Sequence, residues 1–164
     1  MKVNISNNMK PLIQEFYDNS CFYSSFVFVS NIIIAYSFKY YLFSFLFILL
    51  LITSLIFYTY TNIYTNVLDR IPIVLLFVYG LYLLYSKCKN ITSSIKKNNF
   101  DYDNRHKICL SMIIVFSFLV TNYLFYYGYL VKEYCYHKDK KIANLWHSLL
   151  HVNTSLGFNL LMLL

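Results

Sequence analysis

The sequence predicts an all-α protein, a polytopic bundle of about five transmembrane helices. Of its 164 residues, 59% are hydrophobic and 13% are charged, and the mean hydropathy is +0.50. A soluble domain carries about 25% charged and about 45–50% apolar residues. The polar surface here is too small to cover a compact fold in water. The apolar residues also come in unbroken runs rather than in alternation, which favours helices over a membrane β-barrel.

The net charge of +7 then belongs in loops, where it meets phospholipid or biases topology; no nucleic-acid partner is expected. With 3 Gly and 2 Pro there is no linker-like tract, so a single membrane domain over 1–164 is expected. Cys21, Cys88, Cys109 and Cys135 lack CxxC spacing and define neither a disulfide framework nor a zinc ribbon.

A membrane-spanning helix takes about 20 mostly apolar residues, with a range of about 17–25. Cys21–Phe38 qualifies, although it contains Asn31 and several serines. Tyr40–Tyr60 is almost pure Phe, Leu, Ile and Tyr. Ile71–Ser86 is short and lengthens backwards through Val67 and Leu68. Ile108–Val131 ends in the aromatic cluster Tyr123–Tyr129, an interfacial belt. Ile142–Leu164 closes the chain. A polar loop at 87–107 and a basic loop at 132–141 separate the last three spans. The 14 Lys and Arg residues divide evenly between the two sides that five spans create, so charge does not orient the chain. The N-terminal stretch carries Glu15 and Asp18 and no apolar core, so no cleaved signal peptide is expected.

Polar and ionisable groups within lipid are costly and call for a functional hypothesis. His147 and His151 stand four residues apart in LWHSLLH, one turn apart on one helix face. That arrangement presents two imidazoles to one metal; an interfacial pair without ligand is the plainer alternative. Asp69, within LDRIP, is either a functional carboxylate or a helix N-cap ahead of Pro72. Ser54 and Tyr58 are one turn apart near the end of the second span, and are unremarkable singly. Five spans place the end of the second, the start of the third and the start of the fifth on one side. Ser54, Tyr58, Asp69, His147 and His151 can therefore meet at one depth.

These residues carry a resemblance. The stretch SLIFYTYTNIYTNVLDRIPIV is similar to the alkaline ceramidases, whose second and third helices hold S-x-x-F-H, a glutamine, and D-E-x-P-M. Ser54, Phe57, Asp69 and Pro72 fall in register without a gap. Tyr58 stands at the family's histidine, Asn66 at its glutamine, Arg70 at its glutamate and Ile73 at its methionine. Ser30-Asn31 resembles the S-N of the family's first helix, and WHSLLHVNTSLG its H-x-x-x-H followed by a Gly-containing helix. The resemblance covers roughly residues 24–86 and 142–164. The wider group includes adiponectin-receptor-like and Per1-like membrane hydrolases, and the proline three residues after Asp69 favours ceramidases among them. Seven helices are usual in the family, so this chain resembles a shortened form with two helices missing before the last. The family's acidic N-terminal calcium site has no aligned counterpart, although Glu15, Asp18 and Asn19 lie in that region.

The resemblance implies a zinc-dependent amidohydrolase of endomembranes (ER- or Golgi-like), cleaving ceramide to a sphingoid base and a fatty acid. It implies His147 and His151 as zinc ligands, Asp69 as general base and Ser54 as oxyanion donor. Tyrosine is an uncommon zinc ligand because its reference pKa is about 10, so Tyr58, His137 or Asp69 itself remains open as the third. Two other expectations stand beside this one: a catalytically inactive relative that binds lipid or a membrane partner, and an unrelated multi-pass accessory protein.

Overall fold

The helices follow the apolar runs, and their ends are set by local side-chain chemistry. The computed structural model describes residues 20–60, 62–98 and 102–164. The acidic segment with Glu15, Asp18 and Asn19 lies outside them. The described residues form α1 (Ser20–Ser25), α2 (Phe28–Ser37), α3 (Tyr41–Thr59), α4 (Ile63–Asn98), α5 (Tyr102–Asn122), a π-helical segment (Tyr123–Tyr127), α6 (Gly128–Val131), a 3-10 turn (Tyr134–Tyr136) and α7 (Lys140–Leu163). With α1 and α2 taken as one broken helix, and α5 running on through the π segment into α6, the described residues make an all-α bundle of five helices. Four of them are long and apolar enough to cross a membrane: Ser20–Ser37, Tyr41–Thr59, Ile63–Lys96 and Asn104–Val131.

The break in the first helix has an identifiable cause. The hydroxyls of Ser24 and Ser25 both donate to the Cys21 carbonyl, at 3.0 and 2.9 Å. Side chains that bond the carbonyl of the preceding turn compete with the helix ladder and bend it. The backbone tightens at the same place, where Phe26 and Val27 donate to Tyr23 and Ser24 three residues back.

Two boundaries differ from the sequence expectation. The third helix starts at Ile63, because Asn62 caps it: Asn62 Oδ1 accepts from the backbone of Tyr64 and Thr65, and Thr65 Oγ1 accepts from that of Asn62. At the other end α4 continues to Asn98, so most of the polar segment 87–107 is helical rather than loop. Ser93 and Ser94 satisfy their hydroxyls on the Asn90 carbonyl of the same helix, which lets a polar stretch stay helical.

The fifth helix, α7, falls outside the apolar set because it carries many polar residues, several of which bond to neighbouring helices. Asn31 donates to the Ser155 carbonyl at 2.9 Å and to Asn159 Oδ1 at 2.8 Å, and accepts from Ser155 Oγ at 2.5 Å. Asn153 donates to the Ser117 carbonyl and to Thr121 Oγ1, while Ser117 Oγ donates back to the Asn153 carbonyl. Interhelical hydrogen bonds of this kind hold membrane bundles together where no hydrophobic force separates protein from lipid. Below the polar layer lies an aromatic core. Phe158 sits edge-on to Phe43, Phe47 and Phe118, with centroids 5.7, 5.3 and 5.2 Å away, the geometry that aromatic quadrupoles favour.

Candidate functional site

The last two turns of α3 present Thr53, Ser54 and Tyr58 to the bundle interior. Asp69 meets them from α4. Because α4 begins nearly two turns before it, Asp69 is an interior helical residue and not the cap that its position ahead of Pro72 allowed. Its side chain is 9% exposed. Ser54 Oγ donates to Asp69 Oδ1 at 2.6 Å, while Thr53 Oγ1 lies 3.3 Å from the same oxygen and 3.1 Å from the Leu50 carbonyl, which competes for its one proton. A carboxyl this deep is costly unless hydrogen-bonded, and the Ser54 hydroxyl provides that bond.

From α7, His147 and His151 converge on the same place. Their ring centroids are 5.2 Å apart and nearly perpendicular. The Tyr58 ring is almost equidistant from both, at 6.3 and 6.1 Å. Tyr58 OH lies 3.4 Å from His151 Nε2, and Ser24 Oγ lies 2.9 Å from His151 Nδ1. Phe28 covers the His151 ring at 5.2 Å.

A cavity of about 260 Å³ connects these groups, lined by Ser54, Asp69, Arg70, His147 and His151 among apolar walls that include Leu50, Leu76 and Phe118. That is a little below the range of about 300–1,000 Å³ usual for ligand pockets. Its far wall includes Phe125 and Tyr126 of the π-helical segment, a local geometry common beside functional sites. Arg70 lies over the Phe125 ring at 4.7 Å and donates from Nε to Asn66 Oδ1 at 3.2 Å.

His137 stands apart from this cavity. Its Nδ1 accepts from the Asp139 backbone at 3.0 Å, where it helps shape the turn into α7. Cys135, in the preceding 3-10 turn, is buried, and burial pushes its thiol up to about 11. Sequence reasoning missed Thr53 and Ser24. Ser24 meets His151 across a separation of 127 residues, and no local spacing could have paired them.

Among the described residues, no three His, Cys, Asp or Glu side chains form a metal-holding group. A catalytic zinc takes three protein donors and one open position. His147, His151 and Tyr58 supply that number only if the phenol serves. Tetrahedral zinc with bonds of about 2.0–2.1 Å spaces its donors about 3.4 Å apart, which is the Tyr58–His151 separation. The donor set therefore fits zinc in number, and in spacing at this one pair, with the phenol as its weakest member. Comparison with protein-family models, with curated protein sequences and with solved structures gave no match.

Proposed function

We propose that this chain is a ceramidase-like, zinc-dependent membrane amidohydrolase of endomembranes, acting on the amide of ceramide or a similar N-acyl lipid. One observation carries the reading. Ser54, Asp69, His147 and His151 come from three helices, span almost a hundred positions of sequence, and line one cavity. His147 and His151 would hold the metal, with Tyr58 the nearest third donor. When bound, zinc supplies the Lewis acidity that lets water act as a nucleophile near neutral pH.

The remaining roles belong to the chain's own groups. Asp69 takes the proton of the attacking water and passes it to the leaving amine, yielding a free fatty acid and a sphingoid base. Ser54 fixes the orientation of its carboxylate. In this geometry the Ser54 proton is directed at Asp69 Oδ1, so donation to a developing oxyanion requires Ser54 to turn away. The bundle excludes bulk water, which strengthens each of these interactions.

A second reading has its own observation. Tyr58 OH faces the one imidazole nitrogen that a metal would need on His151. A site closed in this way would belong to an inactive relative that binds lipid. Zinc content of the detergent-purified protein and turnover of a labelled ceramide in vesicles separate the two. Bound zinc with turnover that Asp69→Asn abolishes supports the hydrolase. Zinc without turnover favours the inactive relative. Absence of both removes the hydrolase reading.

A further inference from the structure

The geometry assigns Ser24 as the positioning residue that sets the tautomer of His151 and leaves the lone pair of its other nitrogen facing Tyr58. The argument is a count of protons. Ser24 Oγ lies 3.0 Å from the Cys21 carbonyl and 2.9 Å from His151 Nδ1, and a hydroxyl has one proton to give. A carbonyl can only accept, so that proton goes to Cys21. The contact with His151 must then be donated by the ring, as Nδ1–H to Ser24 Oγ. A neutral imidazole carries one N–H. Nε2 is left bare, and Tyr58 OH, 3.4 Å away, donates to it.

Three hydrogen bonds therefore run one way, from Tyr58 through His151 and Ser24 to Cys21. The reverse assignment has Ser24 donating to Nδ1 and Nε2–H donating to the phenol oxygen. It gives up the Cys21 carbonyl contact and leaves the phenol proton to the Cys21 thiol, a weak acceptor. His151 is 6% exposed, and the chain that ends on the carbonyl wins because a carbonyl accepts more strongly than a thiol. The bend at Ser24 and Ser25 contributes as well, since both serines are turned back on the same carbonyl. A hydrogen bond to the far nitrogen is the usual means of fixing a histidine that works through the other. The use made of the Nε2 lone pair, as ligand or base, rests on the proposed function; the tautomer itself does not.

Histidine ¹⁵N chemical shifts of the protein as purified, in lipid nanodiscs, read the protonated nitrogen directly, with His151→Gln identifying the His151 signals. The expected result is Nδ1–H in the natural protein. Ser24→Ala should move the ratio toward Nε2–H about fivefold, the effect of one hydrogen bond, and Ser24→Thr, which keeps the hydroxyl, should restore it. Tyr58→Phe removes the other partner and should leave Nδ1–H in place, a test that stands even if Ser24→Ala does not fold. An Nε2–H imidazole in the natural protein, an unchanged ratio in Ser24→Ala, or reversal in Tyr58→Phe would each overturn the assignment. None of these readings needs zinc or turnover. A protein without hydrolase activity whose His151 carries Nδ1–H would retain this role for Ser24 while losing the proposed reaction.

Discussion

Replacing Tyr58 by histidine tests the site where it departs most from the resembled family. The phenol oxygen sits 3.4 Å from His151 Nε2, and its ring is flanked by both imidazoles at nearly equal distance. An imidazole is shorter than a phenol, so Tyr58→His draws the donor back toward α3 and opens space among three rings. The difference in affinity follows from proton loss. At pH 7 a phenol with a reference pKa of about 10 gives up its proton against about three pH units, or about 4 kcal/mol, whereas a neutral imidazole has no such cost. Even changes outside the ligand set alter metal affinity by about tenfold. The expected gain in zinc affinity thus lies between about tenfold and about a thousandfold, read by competition with a chelating dye in detergent, with ceramide hydrolysis rising alongside. His137→Ala should leave affinity unchanged, since that ring is bonded within its own turn. Equal zinc affinity in Tyr58→His and the natural protein would show that the two α7 histidines do not form a metal centre with this position.

Asn31→Leu removes three interhelical bonds at a fully buried position; at about 0.6 kcal/mol for each such bond in a bilayer, unfolding in denaturing detergent should become easier by about 2 kcal/mol. Gly157→Ala would bring a methyl group to 2.7 Å from Ser117 Oγ, a crowding worth about 1–3 kcal/mol. Part of that loss should return when Ser117→Ala is added, and additive losses would count against the proposed contact. Single-cysteine variants Asn98→Cys and Asp139→Cys, made without the native cysteines, should be labelled from opposite faces of sealed vesicles. Labelling of both from one face would remove the five-crossing topology.

The parts of the fold that could be read from the sequence are those set by apolar length. The second and fourth spans lie close to where their runs of Phe, Leu and Ile put them. What escaped is what depends on a partner elsewhere or on a cap. Asn62 moves the start of α4 ahead of Asp69, a shift visible in the sequence only if that asparagine is taken as a cap. The break at Ser24 and Ser25 and the helical course of the polar stretch after Ser86 rest on hydroxyl-to-carbonyl bonds that hydropathy does not register. The site divides the same way. Asp69, His147 and His151 stood out as costly groups in lipid, and Ser54 joined them through topology and the resemblance, whereas Thr53 and Ser24 are ordinary serine-type residues until the fold shows what they touch.

The direction of each helix can be read from the residue pairs that join them, and this bears on α7, among the described helices the one not apolar enough to cross by composition. Along the first helix Ser24 meets His151, and Asn31 meets Ser155 and Asn159. Both members of the pairs rise together, so the first helix and α7 run parallel. Ser54 meets Asp69 while Phe43 meets Tyr79, so α3 and α4 run antiparallel. Thr121 approaches Thr154 while Phe118 approaches Phe158, so α5 and α7 are antiparallel too. A helix parallel to the first and antiparallel to its predecessor has the sense that a fifth crossing requires. Its polar groups do not oppose that placement, because Asn153, Ser155 and Asn159 are bonded to the other helices and present little unsatisfied polarity to lipid. The same bonds that let a polar helix lie at membrane depth hold His151 against Ser24 and Tyr58. Weakening the Asn31 clasp should therefore disturb the site as well as the bundle.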